Sequence, residues 1–394
     1  MRPHMECIST KRNRLLQVML FPLVLANTFI INSSVHSSSS YSRHRSLLNV
    51  QLHSKSKHQQ ADDVNNNQPS KRLLVFGLGN IGSLVARRAS TPSINGTAPF
   101  QRVYGTTRSG KTLENVETIQ YDSYERLRDI VPNCTHILIT IPPIDSEDAC
   151  NNTYIGGRPR NWKYFCDPVL NNPKLRLAEI VRSNTWIGFV SSTSVYGNHD
   201  GDWVNEDSDI KCLPTSKGAL YFRAETEWRE SANSCGWRMN VFRCAGLYGD
   251  GRSALHTIRK RGASKTASTK VSNPTSRIHE EDAAQAILSA MLLRNESEDS
   301  TSFSQYNLAD DEPAPRNEVM VFGQKLLDSS NLLPDHRLES SKRQPTERDQ
   351  RRKTDNKRVD SKRMKDILLP EGLLYPTYRE GLKAILETNR QKWS

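Results

Sequence analysis

Arg72-Leu-Leu-Val-Phe-Gly-Leu-Gly-Asn-Ile-Gly82 decides the reading of this chain. A short apolar run ends in Gly77, Gly79 and Gly82, and a helical pattern follows over 81–88. Strand, glycine turn and helix in that order form a cradle for a dinucleotide. Gly77 permits the tight turn, Gly79 lets the backbone approach a pyrophosphate, and Gly82 lets helix and strand pack closely. The N–H groups of the new helix, with Asn80 and Ile81 in its first turn, then face the phosphate charge. An ordinary structural turn has the same spacing by chance, but the flanking strand and helix favour the dinucleotide.

Outward from this turn, apolar runs alternate with helical patterns. Strands are predicted at 72–76, 102–106, 118–121, 136–141, 186–191 and 239–243. Helices are predicted at 81–88, 124–130, 173–183 and 215–234. The strands are apolar nearly throughout, as a parallel sheet covered on both faces requires. The expected fold class is therefore α/β, a doubly wound parallel sheet. Residues 69–250 form its dinucleotide-binding part. Shorter elements over 251–330 indicate a small substrate lobe with the last elements of the sheet. A charged run without apolar period, 331–365, reads as a solvated insertion, and 366–394 as a closing helix. The polar stretch 145–168 is either a loop at the mouth of the site or a surface excursion.

The 394 residues carry a formal net charge of +12. Residues 1–60 hold +7 of it and residues 337–366 hold +6, which leaves the body at −1. The body shows no basic stripe with interleaved aromatics, so a nucleic-acid partner is not expected. The seven cysteines (7, 134, 150, 166, 212, 235 and 244) form no CxxC pair. They read as ordinary thiols rather than a zinc site or a disulfide framework, although a 150–166 bridge is compatible with the spacing.

Lys11, Arg12 and Arg14 precede an apolar run over 15–31. This matches the basic and apolar regions of a signal peptide and is marginal for a membrane span. Between Cys7 and Ala61 there is no acidic residue, and 32–60 is rich in Ser, His and Arg. Signal-like first and transit-like second resembles the bipartite presequences of algae whose plastids lie within extra membranes. Plastid import is the favoured fate, with a secretory or endomembrane fate and a retained signal anchor as alternatives. Residues 1–68 are excluded from the fold, and no stable membrane span is expected in the mature protein. The sequons at Asn95, Asn151 and Asn295 matter only in the secretory case.

Further motifs follow in order: Val190-Ser-Ser-Thr-Ser-Val-Tyr-Gly197, Phe242-Arg-Cys-Ala-Gly-Leu-Tyr-Gly-Asp-Gly-Arg252 and Arg277-Ile-His-Glu-Glu-Asp282. Tyr306-Asn-Leu-Ala-Asp-Asp-Glu-Pro313 and Tyr375-Pro-Thr-Tyr-Arg-Glu-Gly-Leu382 complete the series. With the glycine turn, they resemble the extended and atypical short-chain dehydrogenases/reductases, the superfamily of NAD-dependent epimerases and dehydratases. The resemblance covers roughly residues 70–330 and 356–388. It implies a Rossmann-like sheet with a C-terminal substrate lobe. It also implies an NAD(P)-dependent oxidoreductase or epimerase/dehydratase-like activity on a small carbonyl or nucleotide-sugar-like substrate. A non-catalytic dinucleotide sensor or scaffold is the alternative. A homodimer through the 215–234 helix is compatible with the sequence.

Two departures stand out. The glycine turn is one residue shorter than the extended family's usual form, and the Tyr-x-x-x-Lys catalytic pair is missing. In the family's register Lys217 stands where the Tyr belongs, and Tyr221 follows four residues later. Both residue types are present in reversed order on one helix face. The exchange displaces the phenol by about 5 Å, more than positioned acid–base chemistry tolerates. Tyr221 is thus either a displaced catalyst, with Lys217 lowering a phenol pKa normally near ~10, or a core aromatic beside a solvated lysine. Ser192 matches the residue that holds the substrate oxygen; its alternative is a strand-end hydroxyl capping the backbone.

The second strand ends in Thr106-Thr-Arg-Ser109, without the acid that bonds a ribose 2′-OH. Arg108 with these hydroxyls suits a 2′-phosphate, so NADP(H) is favoured over NAD(H). The resemblance places Asp122 at the adenine and Ile141 and Pro142 beside the cofactor ribose; a helix N-cap is the alternative for Asp122. Arg243, Tyr248, Arg252, Arg277 and His279 fall in segments that line the family's substrate side. Arg243 has a strand-end bridge as its alternative, Tyr248 a core position and His279 a helix cap. A metal at His279 with the neighbouring acids is not expected, because acids at a helix start favour the helix itself.

Overall fold

The computed structural model describes residues 70–93, 96–144, 167–261, 273–293, 303–333 and 356–394. The presequence, the three sequons, Cys7, Cys150 and Cys166, nearly all of the 145–168 stretch and the charged run as far as 355 lie outside the described residues.

Seven parallel strands form the central sheet: β1 (Arg72–Phe76), β2 (Arg102–Thr107), β3 (Glu117–Gln120), β4 (His136–Ile139), β5 (Trp186–Ser192), β6 (Arg238–Cys244) and β7 (Phe303–Leu308). Their spatial order is β7-β6-β5-β4-β1-β2-β3. The chain therefore reverses its direction of growth at β1, and the crevice beyond the carboxyl ends of β1 and β4 is where such sheets take ligands. Six of these strands match the sequence expectation to within two residues at either end. β4 stops at Ile139, before the Pro142-Pro143 pair, which cannot donate to a ladder.

The near-continuous apolar character of the strands has a direct structural cause. Successive side chains point to opposite faces. Leu73 and Val75 enter one buried cluster, while Leu74 and Phe76 enter the other. The first cluster is covered by α1 (Asn80–Ser90) and a later helix over Glu280–Leu292. The second is covered by α2 (Tyr124–Ile130), the short α3 (Leu177–Ile180) and α4 (Lys217–Cys235). Only four residues of the helix expected over 173–183 are helical. Asn172 draws the preceding segment into turns by accepting the N–H groups of Lys174 and Leu175.

A third cluster joins α5 (Ala254–Arg261), α7 (Arg316–Ser329) and α9 (Tyr378–Trp393), with α6 being Glu280–Leu292. A capping box of Thr377 and Glu380 starts α9. Asp282 of α6 anchors the segment before it by accepting Leu374 N (2.6 Å) and Tyr375 N (3.1 Å).

The last part of the charged run is not solvated as its charge pattern implied. From Asn356 onward the chain is packed: Lys357, Val359 and Ser361 are buried, and α8 (Lys362–Ile367) follows. Arg358–Val359 pairs in parallel with Trp203–Val204. Charge density misleads here because strand pairing holds the backbone while Arg363 and Lys365 pair with Asp207 and Asp311 elsewhere in the chain. The described cysteines, Cys134, Cys212, Cys235 and Cys244, are free thiols. No helix of the described residues is long and apolar enough to cross a membrane.

Candidate active site

At the end of β1 the glycines have three separate causes. Gly77 sits at φ +100°, and a Cβ there would lie 2.8 Å from Thr140 Oγ1. At Gly82 a Cβ would meet the Gly77 carbonyl oxygen at 2.0 Å, so only hydrogen lets α1 start this close to the turn. A Cβ on Gly79 would meet nothing within 4 Å; the space beside it belongs to a chamber. Gly79 is the N-cap of α1 and no side chain caps it, so the first-turn N–H groups keep their unpaired character. Thr106 steadies the turn through its hydroxyl and carbonyl, which accept Gly77 N (2.9 Å) and Leu78 N (2.8 Å). An anion-binding backbone opening on free space is what a pyrophosphate requires, so these residues fit a dinucleotide.

The chamber has a volume of about 510 Å³. Gly79, Asn80, Ile81 and Gly82 form one wall, with Thr140 and Pro142 beside them. The end of β5 lines it with Ser192 and its neighbours, and Tyr221 and Arg252 line it as well. Asn80 also reaches Glu280 of α6 (3.5 Å). Ile141 is off the wall; it packs in the core against the position of a Gly77 Cβ. Arg108 and Asp122 are exposed and lie outside this chamber. Asp122 does not cap α2, whose N-cap position is Ser123.

Ser192 combines both of its readings. It lines the chamber and its Oγ accepts Ser194 N (3.2 Å). Of the expected pair, the structure brings Tyr221 to the chamber and leaves Lys217, exposed one helical turn earlier, off its wall. Burial pushes the Tyr221 phenol above its ordinary pKa, Cys244 adds to the rise and Arg252 opposes it. Tyr221 is thus held as a protonated phenol, the reverse of what a lysine-activated base needs.

Arg243 is a correction to the sequence expectation. It is 3 % exposed and does not line the chamber; Nη2 bonds Glu225 Oε2 at 2.7 Å and Nη1 donates to Tyr196 Oη at 3.0 Å. Ser191 donates to the same Glu225, and Tyr196 donates to Asn307 Oδ1 (2.7 Å). Burial alone would weaken the Arg243 charge, but the hydrogen bonds and charge of Glu225 outweigh it and raise its pKa. All these polar groups are partnered, so the arginine ties β5, β6, β7 and α4 together beneath the site. Glu225 itself gave no sequence signal, since it reads as an ordinary helix acid.

His279 is a second correction. Its Nδ1 accepts Glu281 N (3.2 Å) as the cap of α6, and its ring packs between Tyr248 and Tyr375. Burial lowers its pKa to about 4, so the ring is neutral near pH 7 and lies on neither chamber wall.

Tyr248, Arg252 and Arg277 do meet, in a second chamber of about 610 Å³ under α5 and α7. Gly246, Leu247, Arg252 and Thr275 belong to both chambers, so the two adjoin. Arg277 donates to Thr275 O (2.7 Å) and Ala314 O (2.8 Å). Tyr248 donates to Thr377 O (3.3 Å), and burial raises its pKa. Lys260 and Arg316 join the wall, which among the described residues carries no carboxylate. Sequence reasoning missed both of these cations.

Fold and site together define an α/β protein whose glycine turn fits a dinucleotide, with an adjoining basic chamber. No protein-family model and no curated protein sequence matches the chain. Solved structures do. A conserved protein of unknown function from Silicibacter pomeroyi is 29 % identical, with a TM-score of 0.58 over 81 % of this chain and 99 % of its own. MoeE5, in complex with UDP-glucuronic acid and NAD, is 19 % identical, with a TM-score of 0.57 over 82 % and 99 %. UDP-glucose 4-epimerase from Thermotoga maritima, with UDP-glucose, is 16 % identical, with a TM-score of 0.58 over 82 % and 100 %. The chain has the fold of the NAD-dependent epimerase/dehydratase proteins, the extended short-chain dehydrogenases/reductases, as the motif series implied.

Proposed function

We propose that this chain is an NADP(H)-dependent enzyme of the oxidoreductase or epimerase type, acting on an anionic, nucleotide-sugar-like substrate. The observation that carries the reading is the junction of the two chambers. The glycine cradle opens onto a wall bearing Arg252, Lys260, Arg277 and Arg316, with no carboxylate among the described residues. Such a wall suits a diphosphate. Fold neighbours bound to UDP-glucuronic acid with NAD and to UDP-glucose support a nucleotide-sugar substrate. Preference for NADP(H) is supported by the end of β2. Arg108 and Ser109 are exposed there, and Lys111 donates to Ser83 Oγ of α1 (2.8 Å) beside the turn.

A bound nicotinamide supplies or accepts the hydride. The chain's own groups orient and protonate. Ser192 holds the substrate oxygen, and Tyr221, kept protonated by burial, donates a proton to it, which favours the reductive direction. Lys217 has no part in this step. Tyr221→Phe is expected to lower turnover of a nucleotide sugar about 10²–10⁴-fold while NADPH binding, followed by nucleotide fluorescence, stays unchanged. The absent lysine partner also favours a second reading, a dinucleotide-responsive protein without turnover. NADPH binding with no turnover of any nucleotide sugar would establish that reading instead. We further propose plastid import through residues 1–68, which a fluorescent fusion of that segment tests.

A further inference from the structure

His256 of α5 lines the basic chamber together with Arg252, Lys260, Arg277 and Arg316. Unlike them, it changes its charge near neutral pH. Its ring is held at both nitrogens. Nδ1 lies 2.8 Å from Ser253 Oγ, and Nε2 lies 3.0 Å from Gly251 N and 3.3 Å from Asp250 Oδ1. α9 closes over this arrangement. The Trp393 ring packs nearly at right angles to the imidazole, with centroids 5.0 Å apart, and Asn389 Nδ2 donates to Asp250 Oδ1 (2.9 Å).

Two protonation states are served by the same partners. In the neutral ring Nδ1–H donates to Ser253 Oγ and Nε2 accepts Gly251 N. In the imidazolium both nitrogens donate, and Ser253 Oγ and Asp250 Oδ1 stand ready to accept. Gly251 N then keeps Asp250 Oδ1 (3.0 Å) as its acceptor. Charge therefore decides between the states. Burial lowers the His256 pKa most, Asp250 raises it through its charge and hydrogen bond, and Arg259 and Lys392 lower it. Lys260 on the same helix and the three arginines of the wall add to the positive surroundings. The neutral ring is favoured at pH 7, and an anion entering the chamber reverses the balance because opposite charge stabilises the imidazolium.

We propose that His256 is a proton-linked ligand for the phosphate groups of the substrate, so that the basic chamber takes up a proton as it takes up a diphosphate. This rests on the reading of the chamber as the site of an anionic, nucleotide-sugar-like substrate. The proton comes from solvent, stays on the ring while the anion is bound and leaves with it. Affinity then rises as pH falls through the pKa of the liganded ring and levels off below that of the free ring. Asp310, which titrates near pH 8 and whose rise the Arg277 charge opposes, is a second group by this wall to be separated from His256.

The full chain saturated with NADPH is titrated calorimetrically with UDP-glucose between pH 6 and pH 8, in two non-phosphate buffers of different ionisation enthalpy. The diphosphate of UDP-glucose has no proton to exchange in this range, so uptake reports the protein. The expected result is uptake of part of a proton at pH 7 and an affinity about threefold or more higher at pH 6 than at pH 8. Both effects vanish in His256→Gln and persist in Asp310→Asn. The native chain offers a check that needs no variant: the NMR titration midpoint of the His256 ring moves up when UDP-glucose is added. Binding of UDP-glucose without proton uptake, or a midpoint that stays in place, overturns the proton link and leaves the nucleotide-sugar reading intact. Uptake that survives in His256→Gln belongs to another group, Asp310 if Asp310→Asn removes it, and also overturns the link. Failure of UDP-glucose to bind, with sulfate binding that is pH-dependent only while His256 is present, sinks the nucleotide-sugar reading alone. Binding of NADPH and nothing else sinks both.

Discussion

The glycine turn and the first turns of α4 face one chamber but are built by different means. At the turn, backbone does the work: a positive φ at Gly77, a carbonyl 2.0 Å from where a Gly82 Cβ would be, and open space at Gly79. At α4, side chains decide. Tyr221 faces the chamber, Lys217 faces solvent, and Glu225 turns inward to hold Arg243. A backbone site tolerates almost no change at its contact points and is indifferent to most neighbours. A side-chain site depends on which helix face is turned inward, so a four-residue exchange rewrites its chemistry.

The sharpest test of the α4 side is Glu225→Ala. It leaves Arg243 buried beside Tyr196 without its carboxylate, and unfolding titrations are expected to show a loss of about 3–5 kcal/mol. A loss well under that would mean the Arg243 network is not what holds β5, β6 and β7 to α4. On the turn side, Gly82→Ala forces the Gly77 carbonyl away and is expected to cost about 1–3 kcal/mol and to abolish NADPH binding. Gly79→Ala should leave the melting temperature unchanged and weaken only NADPH binding. Equal effects on stability at the two glycines would erase the distinction between packing and ligand space.

A third test reaches the substrate lobe. Burial pushes Asp310 up to about 8, with the Arg277 charge opposing the rise. An acid whose folded pKa lies above its unfolded value of about 4 favours the fold when protonated. Its contribution is present at low pH and is lost as pH rises from about 4 to about 8. Asp310→Asn is expected to remove that loss, so its stability relative to the native chain rises between pH 5 and pH 8 in thermal unfolding. The smallest effect belongs to Lys217→Ala. An exposed residue off the chamber wall is expected to change stability by less than about 0.5 kcal/mol and turnover not measurably. A large kinetic effect there would restore the coupled tyrosine–lysine pair.

The legible parts of this molecule share a cause. β1, the glycine turn, α1 and the alternation of later elements were readable because period and glycine placement are local properties of the chain. Helix 173–183 was overread, since its apolar spacing does not register the turn that Asn172 imposes. Arg243 and His279 were assigned to the substrate because motif position places a residue near a site but does not say which way it points. Lys357 and Lys260 were missed for the same reason. One sits in a charged run and the other on a basic helix, where composition predicts only solvent.

By itself the sequence determined the parallel sheet, the dinucleotide turn and the place of Ser192, because these rest on backbone conformations that few residues allow. The tertiary structure alone decided which cations reach the chambers. It buried Arg243 against Glu225, turned His279 into a helix cap, left Lys217 in solvent and brought Lys357 to the chamber that Ser192 lines, from a segment more than a hundred residues away. Charge and hydrogen-bonding capacity are written in the residue type. Whether they meet a ligand, a partner or water depends on what the rest of the fold places opposite them.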